Sequence, residues 1–283
     1  MERNAIVEDF FTGADGRRLY VRHLEPSATR GVVVIVHGYG EHSARYFETM
    51  ERFAAAGFAV YCPDLRGFGR SEMTPGDIEG IELVRGDIRL LTALAGETYP
   101  GDPKILVGHS MGGMIALNQL LYHEDDYDLA VVSGPAVLPP PDANAVIAAL
   151  AGIVARIAPR LPVQKLDLSA GTRDEEMNAR DDADPTLYRG KVLARTGYEI
   201  LRTQKEILRS LSRITIPLLL LHGGDDRIIS PEASELVYRG VSSAEKERVL
   251  FPGLFHEVFN EPERDEVFAR TFDWADRVLG AKR

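Results

Sequence analysis

The sequence predicts an α/β chain: one mostly parallel, eight-stranded sheet with helices on both faces, interrupted by an inserted helical cap. Three observations lead there. Short β-branched and leucine-rich runs alternate with helical patterns, as in a parallel sheet covered on both sides. The run 32–36, Val-Val-Val-Ile-Val, is continuously apolar, as suits a strand buried on both faces. An apolar run at 104–107 stops at Gly108-His109-Ser110-Met111-Gly112, and helical spacing of Met114, Ile115, Leu117, Leu120 and Leu121 begins at once.

Taken in order, the runs 6–12 and 19–24 flank Gly13-Ala14-Asp15-Gly16 and predict an antiparallel hairpin. The strand 32–36 ends at His37-Gly38-Tyr39-Gly40. A helical segment through Tyr46, Met50 and Phe53 leads to Gly57 and a strand at 59–61. The glycine-rich loop Asp64-Leu65-Arg66-Gly67-Phe68-Gly69-Arg70-Ser71 follows. A helix over about 81–94 precedes the strand that carries Ser110. Further strands are expected at 129–133, 217–222 and 247–250. A closing helix at 266–279 has an apolar face of Val267, Phe268, Phe272, Trp274 and Val278. The stretch 138–212 breaks the alternation. It opens with Pro139-Pro140-Pro141, continues as an alanine-rich helix at 145–157, then turns polar and helical through Leu187, Val192, Ile200 and Ile207. It is too long for a plain connection and predicts a cap. The organisation expected is core 1–137, cap 138–212 and core 213–283.

Composition removes several classes of function. The chain has 283 residues, 45% of them hydrophobic, enough for a sizeable core. Acidic residues number 43 against 33 Lys and Arg, for a net charge of -10. A nucleic-acid binder needs the opposite balance to displace counterions from phosphates. The single cysteine, Cys62, excludes an intrachain disulfide and reads as a small buried apolar residue. The charged stretch 1–26 lacks the apolar centre of a secretory signal. The longest apolar stretch, 145–155, is about half of what a bilayer span requires, so a cytoplasmic location is expected. No metal or nucleotide cofactor is expected either. The sequence has no His-Glu-x-x-His, no paired Cys-x-x-Cys, no Gly-x-x-x-x-Gly-Lys, and no Gly-x-Gly-x-x-Gly opening its first βαβ unit.

The strand–Gly-x-Ser-x-Gly–helix context is what gives Ser110 chemical meaning. A tight strand-to-helix turn forces the serine into a strained conformation with its hydroxyl free, and glycines flank it because side chains there would collide with neighbouring elements. Such a serine needs an imidazole to take its proton and a carboxylate to orient that imidazole. Both should come from loops at the carboxyl ends of later strands, in the order acid, then base. The strand 217–222 ends in Gly223-Gly224-Asp225-Asp226-Arg227, and the last strand leads to Phe255-His256-Glu257. Asp226 is the preferred acid and His256 the preferred base. Spacing alone leaves Asp225 as an alternative acid, and His42 is the competing base. His109 is expected to point away from Ser110 and pack, His37 and His222 to bond local backbone carbonyls, and His23 and His123 to be structural. A developing oxyanion needs two backbone N–H donors. Met111, after the nucleophile, and Tyr39, in the loop after the third strand, are the candidates.

Several stretches together resemble the monoacylglycerol lipase family of α/β-hydrolases. They are His37 to Tyr46, Asp64 to Ser71, Gly108 to Gly113, Gly223 to Arg227 and Phe255-His256-Glu257. Leu161-Pro162-Val163-Gln164-Lys165-Leu166-Asp167 and the run 251–264 are similar to the bacterial, mycobacterial-type members. The resemblance implies an α/β-hydrolase fold, cofactor-free cleavage of monoacylglycerols through an acyl-serine, and a cap over an acyl tunnel. It aligns Asp226 with the family's acid and puts Glu41 and Arg45 near the glycerol end, where a local salt bridge is the competing reading. Mammalian members carry a second histidine three residues past the base; here Phe259 stands there. The partner implied is a small lipid, with peripheral membrane contact through the apolar cap helix 145–157. The alternatives are a carboxylesterase or lysophospholipase with the same triad, an aminopeptidase using Asp174, Glu175 and Glu176 to hold an amine, and a non-catalytic scaffold. Oligomeric state and acyl length are not written in the sequence.

Overall fold

The computed structural model describes residues 6–26, 28–139, 145–167 and 169–281, with 145–150 described as backbone only. Residues 1–5 of the charged N-terminal stretch lie outside it, as do Pro140 and Pro141 of the proline run. Ten strands are formed among the described residues: β1 (Val7–Thr12), β2 (Arg18–Leu24), β3 (Val32–Val36), β4 (Ala59–Pro63), β5 (Lys104–His109), β6 (Leu129–Ser133), β7 (Pro162–Gln164), β8 (Val192–Leu193), β9 (Leu218–Gly223) and β10 (Lys246–Phe251). The α-helices are α1 (Phe47–Ala55), α2 (Ile81–Thr98), α3 (Met111–His123), α4 (Ala145–Ile157), α5 (Glu175–Ala183), α6 (Ala194–Ser210), α7 (Glu232–Gly240) and α8 (Arg264–Ala281).

Eight strands make one sheet in the order β1-β2-β4-β3-β5-β6-β9-β10. The β1–β2 hairpin is antiparallel and β2 joins β4 antiparallel; the other pairings are parallel. Alternate residues of β3 feed opposite cores. Val32, Val34 and Val36 pack with α2 and α3, while Val33 and Ile35 pack with residues of α1 and α8. That two-sided burial is why the run carries no polar residue. Helix α3 is buried from Met111 to Leu121, which explains an apolar sequence with little polar face. Successive strands step to opposite sides of β3, from β4 on one flank to β5 on the other. Loops at the carboxyl ends of β3 and β5 therefore diverge around a crevice, where ligands bind in such sheets.

Between β6 and β9 the chain leaves the sheet. The helix at 145–157 forms as expected, but Leu187 and Val192 do not join a helix. Val192 lies in β8, which pairs antiparallel with β7 in a two-stranded ribbon. Two- and three-residue strands have too few positions for a period to register, which is why the sequence pattern missed them. The polar helix α5 is held by its N-cap, where Asp174 accepts from the N–H groups of Glu176 and Met177 at 3.0 Å. Helix α6 ties cap to core. Its Arg195 donates to Asp77 at 2.9 Å, Thr196 to the Gly76 carbonyl at 2.8 Å, and Ile207 is buried in the main core.

Candidate active site

Ser110 sits between β5 and α3 with φ 55° and ψ -118°, a conformation that a side chain disfavours. Its N–H donates to the Ser133 carbonyl of β6 at 2.9 Å, and its carbonyl accepts from Met114 and Ala136, each at 3.0 Å. The turn can be this tight because Gly112 lies against the end of β3: a Cβ there would stand 2.0 Å from the Val36 carbonyl oxygen. The amide of Met111 begins α3, where the first N–H groups of a helix have no partner within it. Tyr39 and Met111 border the same cavity as Ser110.

The loops after β9 and β10 bring Asp226 and His256 together. His256 Nδ1 donates to Asp226 Oδ2 at 2.6 Å. Oδ1 accepts from the backbone N–H groups of Ile228 and Ile229 at 2.8 and 2.9 Å. Burial would push the Asp226 carboxyl up, but hydrogen bonds from His222 and His256 outweigh it and hold the group well below the usual carboxylate range. Asp225 is exposed and makes no such contact. His256 Nε2 is buried without a hydrogen-bond partner among the described residues, and both His256 and Ser110 line the cavity. His42 is engaged elsewhere: its Nε2 meets Asp184 at 2.9 Å and Thr186 at 2.8 Å, fastening the cap.

Two histidines do more than expected. His109 packs, and its contact is His256: its ring tilts against that of His256 with centroids 4.7 Å apart, and it too borders the cavity. Burial first, and the nearness of His256, push it down to about 4, so it stays neutral. His222 bonds the Ile229 carbonyl at 3.1 Å as expected, but its Nε2 also reaches Asp226 Oδ2 at 3.0 Å. The His-Gly-Gly-Asp-Asp spelling places that imidazole four residues before the acid, a signal legible only once the loop's return path is known. His37 fits its expected place, bonding the Gly38 carbonyl at 2.7 Å while its Nε2 accepts from the Leu65 N–H at 2.9 Å.

Glu41 shapes the loop after β3, accepting from the Gly38 N–H and the Tyr46 hydroxyl, each at 2.7 Å. Arg45 pairs with Glu41, with Asp181 of α5, and with Glu257 next to His256 at 2.9 Å. Both residues border the cavity, and their charges are spent on this network. Burial would raise Glu41, but Arg45 and the Tyr46 hydrogen bond help hold it at about 2. The cavity measures about 1130 Å³. The cap contributes Val154, Leu166, Leu187 and Ile200 among other apolar walls, and the core adds Ile228 and Ile229. Glu175 and Glu176 are exposed and Asp174 pairs with Arg264 at 2.7 Å; none of the three borders the cavity. Phe259 is buried against Phe268, outside that lining. Among the described residues no His, Cys, Asp and Glu side chains group to hold a metal ion, and no helix is long and apolar enough to cross a membrane.

A mostly parallel eight-stranded sheet, a serine on the turn after β5 and a helical excursion between β6 and β9 together define an α/β-hydrolase. Residues 27–263 match the family model described as serine aminopeptidase, S33. A monoacylglycerol lipase from Mycolicibacterium smegmatis is 37% identical over 94% of this chain and 96% of its own length. The chain therefore belongs to the monoacylglycerol lipase family of the α/β-hydrolases. Among solved structures, the monoacylglycerol lipase of Paleococcus ferrophilus superposes with a TM-score of 0.83 at 29% identity, covering 92% of this chain and 99% of that one. A soluble variant of Saccharomyces cerevisiae monoglyceride lipase, in complex with a substrate analog, gives 0.85 at 25% identity, covering 98% and 96%.

Proposed function

We propose that this chain cleaves the ester bond of monoacylglycerols, releasing fatty acid and glycerol through an acyl-serine intermediate. The observation that carries the reading is the buried Nε2 of His256, unpartnered among the described residues, set with Ser110 on one large, chiefly apolar cavity. Its size exceeds the roughly 300–1,000 Å³ of common ligand pockets, ample for one acyl chain. The monoacylglycerol lipase relatives support the same substrate class.

In the first half-reaction Ser110 Oγ forms a bond to the ester carbonyl carbon while its proton passes to His256 Nε2. Asp226 holds the imidazole by its Nδ1–H and offsets the imidazolium charge. The carbonyl oxygen becomes an oxyanion, received by the Tyr39 and Met111 amides, each worth about 3 kcal/mol in the transition state. The bond to the glycerol oxygen then breaks, and that oxygen leaves with the proton from His256. Water, deprotonated by the same Nε2, attacks the acyl-serine, and the fatty acid departs as Ser110 regains its proton. Glu41 and Arg45 border the glycerol end and offer it remaining hydrogen-bond sites, while the acyl chain lies along the cap's apolar walls. Ile153 and Ile157, 59% and 80% exposed on α4, support peripheral contact of the cap with a lipid surface.

A panel of monooleoylglycerol, trioleoylglycerol, lysophosphatidylcholine and short nitrophenyl esters tests the substrate class. Monooleoylglycerol should be turned over fastest, and Ser110→Ala should lose both turnover and fluorophosphonate labelling. Trioleoylglycerol cleaved as fast per site, or a clear preference for lysophosphatidylcholine, would overturn the assignment.

A further inference from the structure

We propose that His222 is a positioning residue for the Asp226–His256 pair, donating its Nε2–H to the same carboxylate oxygen that receives His256 and so sharing that oxygen's charge. The proposal rests on the reading above, in which the pair serves Ser110.

His222 is the next-to-last residue of β9, and its side chain and that of Asp226 are both wholly buried. Its Nε2 lies 3.0 Å from Asp226 Oδ2 and 3.1 Å from the Ile229 carbonyl. A carbonyl oxygen can only accept, so Nε2 must carry the proton. Nδ1 is buried without a partner among the described residues, so a second proton there would have no acceptor. An imidazole held this way donates to the carboxylate through Nε2. The carboxylate is thus gripped at both ends: two backbone amides hold Oδ1, and His222 and His256 share Oδ2.

The sharing has a direction. Two donors divide the negative charge of Oδ2, so each feels less of it than it would alone. Removing His222 leaves Oδ2 wholly to His256, which favours the imidazolium over the neutral base. The pH below which the base is lost should then rise. The other groups facing this pair are His109 against the His256 ring, Glu41, Glu257 and Arg45 beside His109, and Arg227 over the Phe255 ring. None is altered by a change at His222. A side chain that only filled space there would leave the acid limb where it was.

The test is the pH profile of kcat/KM on monooleoylglycerol for the native chain, His222→Leu and His222→Gln. In His222→Leu the acid limb should move up by about half a pH unit or more, with kcat lowered several-fold. His222→Gln, whose amide N–H reaches toward the same oxygen, should keep the native limb. Superimposable limbs for the native chain and His222→Leu would overturn the proposal. Nitrogen NMR of labelled histidine in the native chain gives a second reading that needs no variant to fold. His222 must show a protonated Nε2 and a bare Nδ1, and the opposite tautomer would overturn the proposal. Fluorophosphonate labelling separates the two failures. A native chain that does not label sinks the hydrolase reading, whereas labelling with an unmoved limb sinks only the role of His222.

Discussion

Replacing Ser110 by glycine should abolish turnover and yet leave a protein more stable than Ser110→Ala. Both changes remove the hydroxyl, so its contacts cancel in the comparison. Ser110→Ala keeps a Cβ at φ 55° and ψ -118°, where a side chain costs about 1–3 kcal/mol. Glycine removes that strain but loses about 0.5–1 kcal/mol through the greater freedom of its unfolded chain. The balance is roughly 1 kcal/mol in favour of glycine, or about 2–4 °C in Tm for a domain near this size. Thermal unfolding of the two variants, followed by circular dichroism at one pH and concentration, measures it directly. A glycine variant melting at or below the alanine variant would refute the argument that the elbow stores strain. The mechanism would then need another reason for the exposed hydroxyl.

Other perturbations test the packing and charges around the site. Gly134→Ala would put a Cβ 3.0 Å from His256 Cε1 and Nδ1 at a φ of +50°; displacing that ring should lower kcat about 10- to 100-fold in a chain that still folds. Unchanged steady-state kinetics would contradict it. Gly112→Ala, 2.0 Å from a backbone carbonyl that cannot yield, should fail to accumulate as folded protein, and a soluble variant with native Tm would be the contrary result. Arg45→Met leaves Glu41, Asp181 and Glu257 without their shared cation and should cost about 3–5 kcal/mol in urea unfolding; a loss under about 1 kcal/mol would show the network to be ornamental. Glu41 is depressed from 4.5 to about 2 on folding. Its contribution is therefore complete above pH 4.5 and lost as pH falls toward 2. Glu41→Gln should flatten the decline of Tm across that window, and parallel curves would dismiss the effect.

The strands of the sheet and the helix after Ser110 were legible because each carries a run long enough to show its period. β3 and β6 fall where the apolar runs 32–36 and 129–133 put them. The elbow was legible because glycines bracket a serine between a strand and a helix, a local demand that local sequence must meet. What was hidden depends on distant chain segments. The β7–β8 ribbon joins residues about thirty apart, and neither strand repeats often enough to declare itself.

Sequence by itself determined the fold class, the position of Ser110, and a short choice of acids and bases in ordered loops. Folding gave each candidate different surroundings. Asp226 rather than Asp225 turns inward, because the turn after β9 offers the Ile228 and Ile229 amides to one carboxylate and not its neighbour. His42 is bonded instead to Asp184 and Thr186, more than 140 positions away. Glu41 and Arg45 pair locally, but Asp181 and Glu257 join their network only through the fold. His222 acquires a bond to Asp226 through the same turn. A side chain's chemistry is written in its own letter, but its partner is set by where the rest of the chain returns, and hydrogen bonds act only over about 3 Å.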